Sequence, residues 1–237
     1  MTRLRMALHK GEELRYLSHL DYAQAVARMI RRSGLSMVYS EGFNPHMKIS
    51  FSSALALGIT AEAEYVDMDV LADVTVEEVK TLLLPVAPKG LEPLDGVILP
   101  DKVKKMMAIC NYAIYEVRGS LANSIKGQVV DWIKALQSFN EAQTIEYEKV
   151  TPKKTRIIDV KHFVKDAIEA KQEGDEVVLT MGIGIYHEGT IKPGEVWNLG
   201  RTQFGWPISD GYVTHRKAIL VEGEDGFRYS PLDSCVF

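Results

Sequence analysis

Cysteine is scarce in this sequence, which has only Cys110 and Cys235, far apart in the chain. Disulfide frameworks need several paired cysteines, and zinc or iron–sulfur sites held by cysteine need three or four close ligands. We therefore expect neither thiol to form a disulfide, and we predict no metal site. Three histidines, His162, His187 and His215, are scattered in the second half of the sequence, and their spacing does not predict a zinc site.

Long apolar runs are also absent, since none approaches the roughly 20 residues that a membrane-spanning helix requires. The charged residues at the start are not followed by the apolar stretch of a secretory signal. The sequence therefore predicts a cytoplasmic protein without a membrane partner. No G-x-G-x-x-G run, phosphate-binding P-loop or G-x-S-x-G nucleophile motif occurs, so nucleotide hydrolysis and serine hydrolysis have no support.

Charge is unevenly distributed along the 237 residues, whose net charge is -4. Residues 1–60 carry eight Lys and Arg against four acids, whereas residues 61–100 carry nine acids against two lysines. The local field matters more than the total for an anionic ligand, so the first segment is the better candidate to bind one. A solvated charged face explains the same pattern equally well.

The first hundred residues predict a β-α-β-β-α-β order, which is the ferredoxin-like arrangement. Alternating polar and apolar residues indicate four strands, over residues 3–9, 35–40, 63–71 and 91–99. One helix is predicted from Ser18 to about Arg32, and a second is capped by Thr75. The residues expected to be buried on these elements are Leu20, Ala23, Ala27, Ile30, Val66, Met68 and Val70.

The rest of the chain predicts a second unit of the same kind. Strands are expected over residues 108–118, 143–150, 156–160, 176–186 and 216–222. Helices are expected from about Asn123 to Leu136, within residues 159–170, and from Pro193 to about residue 202. The predicted fold is therefore α+β, with two tandem ferredoxin-like units: a domain over residues 1–100, a linker over 101–107 and a domain over 108–237.

A loop rich in turn-forming and polar residues is the main candidate binding site. Gly42 and Pro45 shape the turn, and Asn44, His46 and Lys48 offer groups that suit phosphate binding or proton transfer. We predict that these three polar side chains line a cleft shared with Arg28 or Arg31. The alternative is structural: the same polar groups turn inward and cap the backbone of the loop.

Aromatic and charged residues near this loop extend the candidate site. Tyr39 and Phe43 beside positive charges could stack bases, as in proteins that bind single-stranded nucleic acids, although core packing is the alternative for each ring. The remaining polar residues also have more than one possible role. His19 and Asp21 form either a His–carboxylate pair or a helix cap, and Asp67 and Asp69 are candidate acidic partners of His46 or Lys48.

Four segments of the first third are distinctive together: YLSHLD at residues 16–21, GFNPHMKISF at 42–51, LALG at 55–58 and EYVD at 64–67. They resemble the radical-SAM-linked protein family, a bacterial domain of unknown function. Met47 and Ala56 stand where that family usually has proline, which touches loop stiffness rather than polar chemistry. Later segments resemble it more loosely: DVK at 159–161, KPGEV at 192–196 and RKAILVE at 216–222.

The resemblance implies a link to radical SAM chemistry that acts on RNA, without an established activity. This chain lacks the CxxxCxxC cluster motif, so it needs no cofactor of its own in this reading. The iron–sulfur cluster and S-adenosylmethionine would belong to a separate radical SAM protein.

Three functions are compatible with these observations. The first is a non-catalytic module that recognises a nucleic acid, with structured RNA as the leading candidate, and presents it to the radical SAM partner. The second is a metal-independent RNA-processing endonuclease with an acid–base histidine, by fold-level analogy with the CRISPR repeat-processing enzymes. The third is a structural docking partner that uses the acidic surface of residues 61–100. The sequence does not decide whether the chain is an enzyme.

Overall fold

The computed structural model describes residues 1–150 and 155–237, which form two compact units. The first unit comprises Met1–Asn111 together with Ala218–Phe237, and the second comprises Tyr112–Lys217. The predicted second domain extended to residue 237. The last twenty residues instead contact the first unit, where the Arg5 guanidinium donates a 2.8 Å hydrogen bond to the Pro231 carbonyl.

Most elements of the first unit lie where the sequence predicts them. They are β1 (Thr2–Lys10), α1 (His19–Arg32), β2 (Ile49–Phe51), β3 (Ile59–Val70), α2 (Val76–Leu83), β4 (Leu91–Ile98) and α3 (Met106–Ile109). β1 lies between β4 and β3, and β2 pairs with β3; all three pairings are antiparallel. The strand predicted over residues 35–40 is only two isolated bridges, Met37 to Val70 and Tyr39 to Met47.

Helix α1 begins and ends where the sequence predicts. Ser18 is its N-cap, and the Ser18 Oγ accepts the Asp21 N–H at 3.2 Å. The helix ends at Arg32, and Gly34 follows with a φ of +78°, a left-handed conformation that glycine adopts without strain.

The buried face of α1 is not the predicted one, however. Leu20 is 73% exposed and Ala27 is only partly buried. The buried residues are instead Tyr22, Val26, Met29 and Ile30. These larger side chains remove more apolar area from water than the alanines of the predicted stripe, which decides the rotation of the helix. The predicted burial of Ile30, Val66, Met68 and Val70 is confirmed.

The second unit contains more elements than a single β-α-β-β-α-β pattern. They are β5 (Tyr112–Leu121), α4 (Trp132–Glu141), β6 (Glu146–Val150), β7 (Thr155–Asp159), α5 (Val160–Phe163), β8 (Glu169–Glu173), β9 (Glu176–Gly184) and α6 (Pro193–Gln203). Strand β9 pairs antiparallel with β5 and β8, while β6 and β7 form a separate two-stranded sheet. Strand β8 was not predicted, and α4 begins at Trp132 rather than near Asn123.

The strand after α6 is longer than the sequence predicts. Strand β10 spans Ile208–Glu222, whereas only residues 216–222 were predicted, and its end pairs with β11 (Arg228–Tyr229). Each unit has its own core. Leu4, Val26, Met68 and Val79 are among the buried residues of the first. The second core includes Phe139, Trp197 and Trp206 as its large side chains.

Candidate nucleic-acid interface

A small hairpin over residues 38–48 carries the loop of residues 42–48 that the sequence singled out. The Lys48 N–H donates to the Val38 carbonyl at 2.8 Å, and the Ser40 N–H donates to the His46 carbonyl at 2.8 Å. The base of the hairpin is tied to β3, because the Asp69 N–H donates to the Lys48 carbonyl at 3.2 Å. Gly42 has a φ of +122°, which accounts for glycine at this point of the turn.

Most side chains of the 42–48 loop face outward, whereas Met47 packs against the core of the first unit. Phe43 is fully exposed, Tyr39 is 43% exposed, and Asn44, His46 and Lys48 are all exposed. Within residues 1–150 and 155–237, none of these three polar side chains has a hydrogen bond or ion pair. The backbone of the loop is satisfied by other groups, since the Ser40 Oγ accepts the His46 N–H at 2.9 Å. These side chains are therefore available to a ligand.

Two arginines of α1 are also exposed. The Arg28 Nη2 donates a 3.3 Å hydrogen bond to Gln24 on the same helix, and Arg31 has no polar partner among the described residues. Arg32 differs, because its Nη2 donates to the Val86 carbonyl at 2.9 Å. No described contact joins Arg28 or Arg31 to the 42–48 loop, so the shared cleft stays a prediction.

His19 and Asp21 have separate structural contacts. The His19 ring packs edge-on against Phe51, with 5.6 Å between the ring centroids. The Asp21 carboxylate accepts a 2.6 Å hydrogen bond from the Ser18 hydroxyl, in the first turn of α1. A carboxylate at this end of a helix also interacts favourably with the helix dipole. Asp21 therefore belongs to the N-terminal cap of α1 and does not form a His–carboxylate pair with His19.

Asp67 and Asp69 face cations of β1 instead of the loop. The Asp67 carboxylate accepts hydrogen bonds from Arg5 Nε at 2.7 Å and Nη2 at 3.1 Å, and both side chains are almost completely buried. Asp69 lies 3.5 Å from the Arg3 Nε, in a more exposed pair. The reason is register: Arg5 pairs directly with Asp67, and Arg3 with Asp69, across the β1–β3 ladder. The predicted acidic partnership with His46 or Lys48 is thus replaced by these ion pairs.

The parts of the chain that the structure describes contain no cluster of three or more His, Cys, Asp or Glu residues that could hold a metal ion. Cys110 is buried and Cys235 is exposed, and neither forms a disulfide among the described residues. Among the helices of the described residues, none is long and apolar enough to cross a bilayer.

A second polar cluster was missed by sequence reasoning. Glu188 lies 2.9 Å from His162 and 2.9 Å from His187, two histidines that seemed scattered in the sequence. The rings of His162 and Tyr186 are also in contact, with centroids 4.8 Å apart. No sequence spacing signals this arrangement, because α5 supplies His162 and a separate turn supplies the other three residues.

A family model matches residues 3–193 of the chain, and its description is "Uncharacterized protein conserved in bacteria (DUF2344)". The chain belongs to this family. The DUF2344 match includes the 42–48 loop, helix α1 and the cluster around Tyr186. No curated protein matches the sequence.

The solved structures with weak similarity to this DUF2344 chain include a chain in the crystal structure of a Cbf5-Nop10-Gar1 complex, with 12% sequence identity and a TM-score of 0.49. The alignment covers 90% of this chain and 47% of the solved one, so the DUF2344 chain spans about half the length of that protein.

Proposed function

We propose that this chain is a non-catalytic module that binds RNA and works with a separate radical SAM enzyme, with the 42–48 loop as its RNA contact. The observation that carries the proposal is the outward-facing loop: a fully exposed Phe43 stands among Asn44, His46 and Lys48, which have no polar partners among the described residues. An exposed aromatic face next to cationic and hydrogen-bonding side chains is the combination that proteins binding single-stranded nucleic acids use.

The chemistry of the loop suits unpaired RNA. An aromatic face binds a base only where that base is unstacked, and single-stranded loops and bulges offer such bases. Stacking contributes about 1–3 kcal/mol per base. Lys48 and Arg31 would supply charge to the backbone phosphates, while Asn44 and His46 would donate or accept single hydrogen bonds.

The partner and the domain architecture belong to the same proposal. The motifs of residues 16–67 support the radical SAM link by resemblance, and the iron–sulfur cluster and S-adenosylmethionine would be bound by the partner, in the cytoplasm. The observed order β4-β1-β3-β2, with antiparallel neighbours, supports a ferredoxin-like first unit. The additional β6–β7 sheet makes the second unit a more elaborate variant.

The proposal is tested by measuring the affinity of labelled single-stranded RNA by fluorescence anisotropy. Replacing Phe43 with alanine removes the stacking face, so Phe43→Ala should weaken binding by roughly 5- to 150-fold. Phe227→Ala is the matched control, because Phe227 is also an exposed ring on a turn, at 67%. Equal affinities of wild type, Phe43→Ala and Phe227→Ala would overturn the proposal for this loop.

A second assay separates binding from catalysis. Wild-type protein is incubated with cellular RNA without metal, and both retention and cleavage are measured. Retention without cleavage supports the binding module. Cleavage that disappears in His46→Ala would contradict the module and favour the metal-independent endonuclease instead.

A further inference from the structure

The turn of residues 186–189 in the second unit presents two titratable side chains at its tip. The Tyr186 and Gly189 main chains exchange two hydrogen bonds of 3.0 Å, which closes the turn around His187 and Glu188. Gly189 has a φ of +132°, so the turn depends on glycine there. The two tip residues are therefore fixed in the backbone of a closed turn.

Glu188 holds two imidazoles. Its Oε1 lies 2.9 Å from the His162 Nε2, and its Oε2 lies 2.9 Å from the His187 Nδ1. The backbone N–H of Glu188, and next the hydrogen bond with His162, lower the pKa of this carboxyl. Glu188 is therefore ionised at neutral pH and orients both rings.

An aromatic ring joins this group to further cations. The Lys165 Nζ lies 5.3 Å from the centroid of the Tyr186 ring, and the His162 ring contacts the same ring at 4.8 Å. The ring fits because residue 184 is glycine: a Cβ there would lie 2.5 Å from the Tyr186 Oη. Arg156 completes the group, since its Nη2 donates to the Glu188 carbonyl at 3.2 Å.

We propose that this Tyr186 cluster, which comprises Arg156, His162, Lys165, Tyr186, His187 and Glu188, is a binding site for a phosphate group. Two imidazoles contact the Glu188 carboxylate, the Arg156 guanidinium donates to the Glu188 carbonyl, and the Lys165 ammonium lies over the Tyr186 ring. All four groups can donate hydrogen bonds to phosphate oxygens. The surrounding sequence agrees, because residues 149–165 contain six Lys and Arg and one acid. The site lies outside the 42–48 loop and does not depend on the function proposed for it.

The test is a titration with inorganic phosphate, followed by the NMR signals of the histidine rings. His162→Gln and His187→Gln assign the signals. At constant pH we expect saturable shifts of the signals of both rings as phosphate is added. The absence of saturable shifts would overturn the proposal.

Two substitutions distinguish a binding site from a merely structural cluster. Glu188→Gln removes the competing negative charge, so phosphate should bind more tightly, by about threefold or more. The double variant Arg156→Ala with Lys165→Ala should abolish saturable binding, while Lys171→Ala, an exposed cation paired with Glu173, should not. Weaker binding by Glu188→Gln would contradict the proposal.

The source of the phosphate is separated by two further probes on the wild-type protein. Tighter binding of adenosine monophosphate than of inorganic phosphate indicates a free nucleotide. Tighter binding of a single-stranded RNA, with a steep loss of affinity as salt increases, indicates a nucleic-acid backbone. If neither probe shifts the His162 and His187 signals, the proposal is wrong.

Discussion

The 42–48 loop and the Arg5–Asp67 pair are both polar parts of the first unit, but they use their polar groups in opposite ways. Arg5 and Asp67 are buried and bonded to each other in two places, and Arg5 also donates to Pro231. Asn44, His46 and Lys48 are exposed, with no polar partners among the described residues. Buried polar groups are satisfied within the fold, whereas the side chains of the loop are open to solvent and, in our proposal, to RNA.

The Tyr186 cluster is intermediate between these two. Its side chains contact one another, as in the Arg5–Asp67 pair, yet His162 and Glu188 are about half exposed. Substitutions should therefore rank in their effect on folding, with the buried pair first, the Tyr186 cluster second and the loop last.

The largest expected effect is on the buried pair. Asp67→Asn leaves the Arg5 guanidinium buried without a counter-charge, and should lower the free energy of unfolding by about 3–5 kcal/mol. Urea denaturation measures this change. Asp69→Asn is the matched control: its pair with Arg3 is partly exposed at 3.5 Å, so its loss should cost less than about 1 kcal/mol. If Asp67→Asn and Asp69→Asn lower the free energy of unfolding equally, the distinction between buried and exposed ion pairs is wrong.

A medium effect is expected at Gly184. A methyl group there meets the Tyr186 Oη at 2.5 Å, so Gly184→Ala must displace the ring and should cost about 1–3 kcal/mol. The displacement should also shift the NMR signals of His162. Gly211→Ala is the control in another strand, since no atom lies within 4 Å of a Cβ at that position. If the NMR signals of His162 are the same in Gly184→Ala and in the wild type, the position of the Tyr186 ring described here is wrong.

The smallest expected effect is a pH dependence at Glu188. Its lowered pKa means that the ionised carboxylate stabilises the fold. This contribution is present above the usual glutamate pKa and is lost as the pH falls through the lower folded value. The difference in melting temperature between wild type and Glu188→Gln should therefore be larger at about pH 6 than at about pH 3. A difference in melting temperature that grows as the pH falls would mean that the ionised carboxylate destabilises the fold.

Local signals in the sequence were sufficient for the elements that local chemistry determines. Ser18 and Gly34 predict the two ends of α1, because capping and left-handed backbone are properties of single residues. The exposed turn at residues 42–48 follows from Gly42 and Pro45 in the same way.

Features that depend on tertiary packing could not be predicted from local sequence signals. The exposure of Leu20 depends on whether Tyr22 and Met29 find a core to fill, which the helix alone does not specify. Pairing of Asp67 with Arg5 depends on the register of β1 against β3. The Tyr186 cluster draws its residues from β7, α5, the loop after it and a turn, so no window of sequence contains it.

The central claim, that the 42–48 loop binds RNA through its exposed ring and cations, is tested most directly by the salt dependence of RNA binding. Each neutralised phosphate on a single strand contributes a slope of about 0.7 in a plot of log affinity against log salt. The double variant Lys48→Ala with Arg31→Ala should reduce the slope by about 1.4. Lys126→Ala with Lys134→Ala, two exposed lysines of the second unit, should leave it unchanged. A lower melting temperature of the Lys48 and Arg31 variant with an unchanged slope would contradict the account.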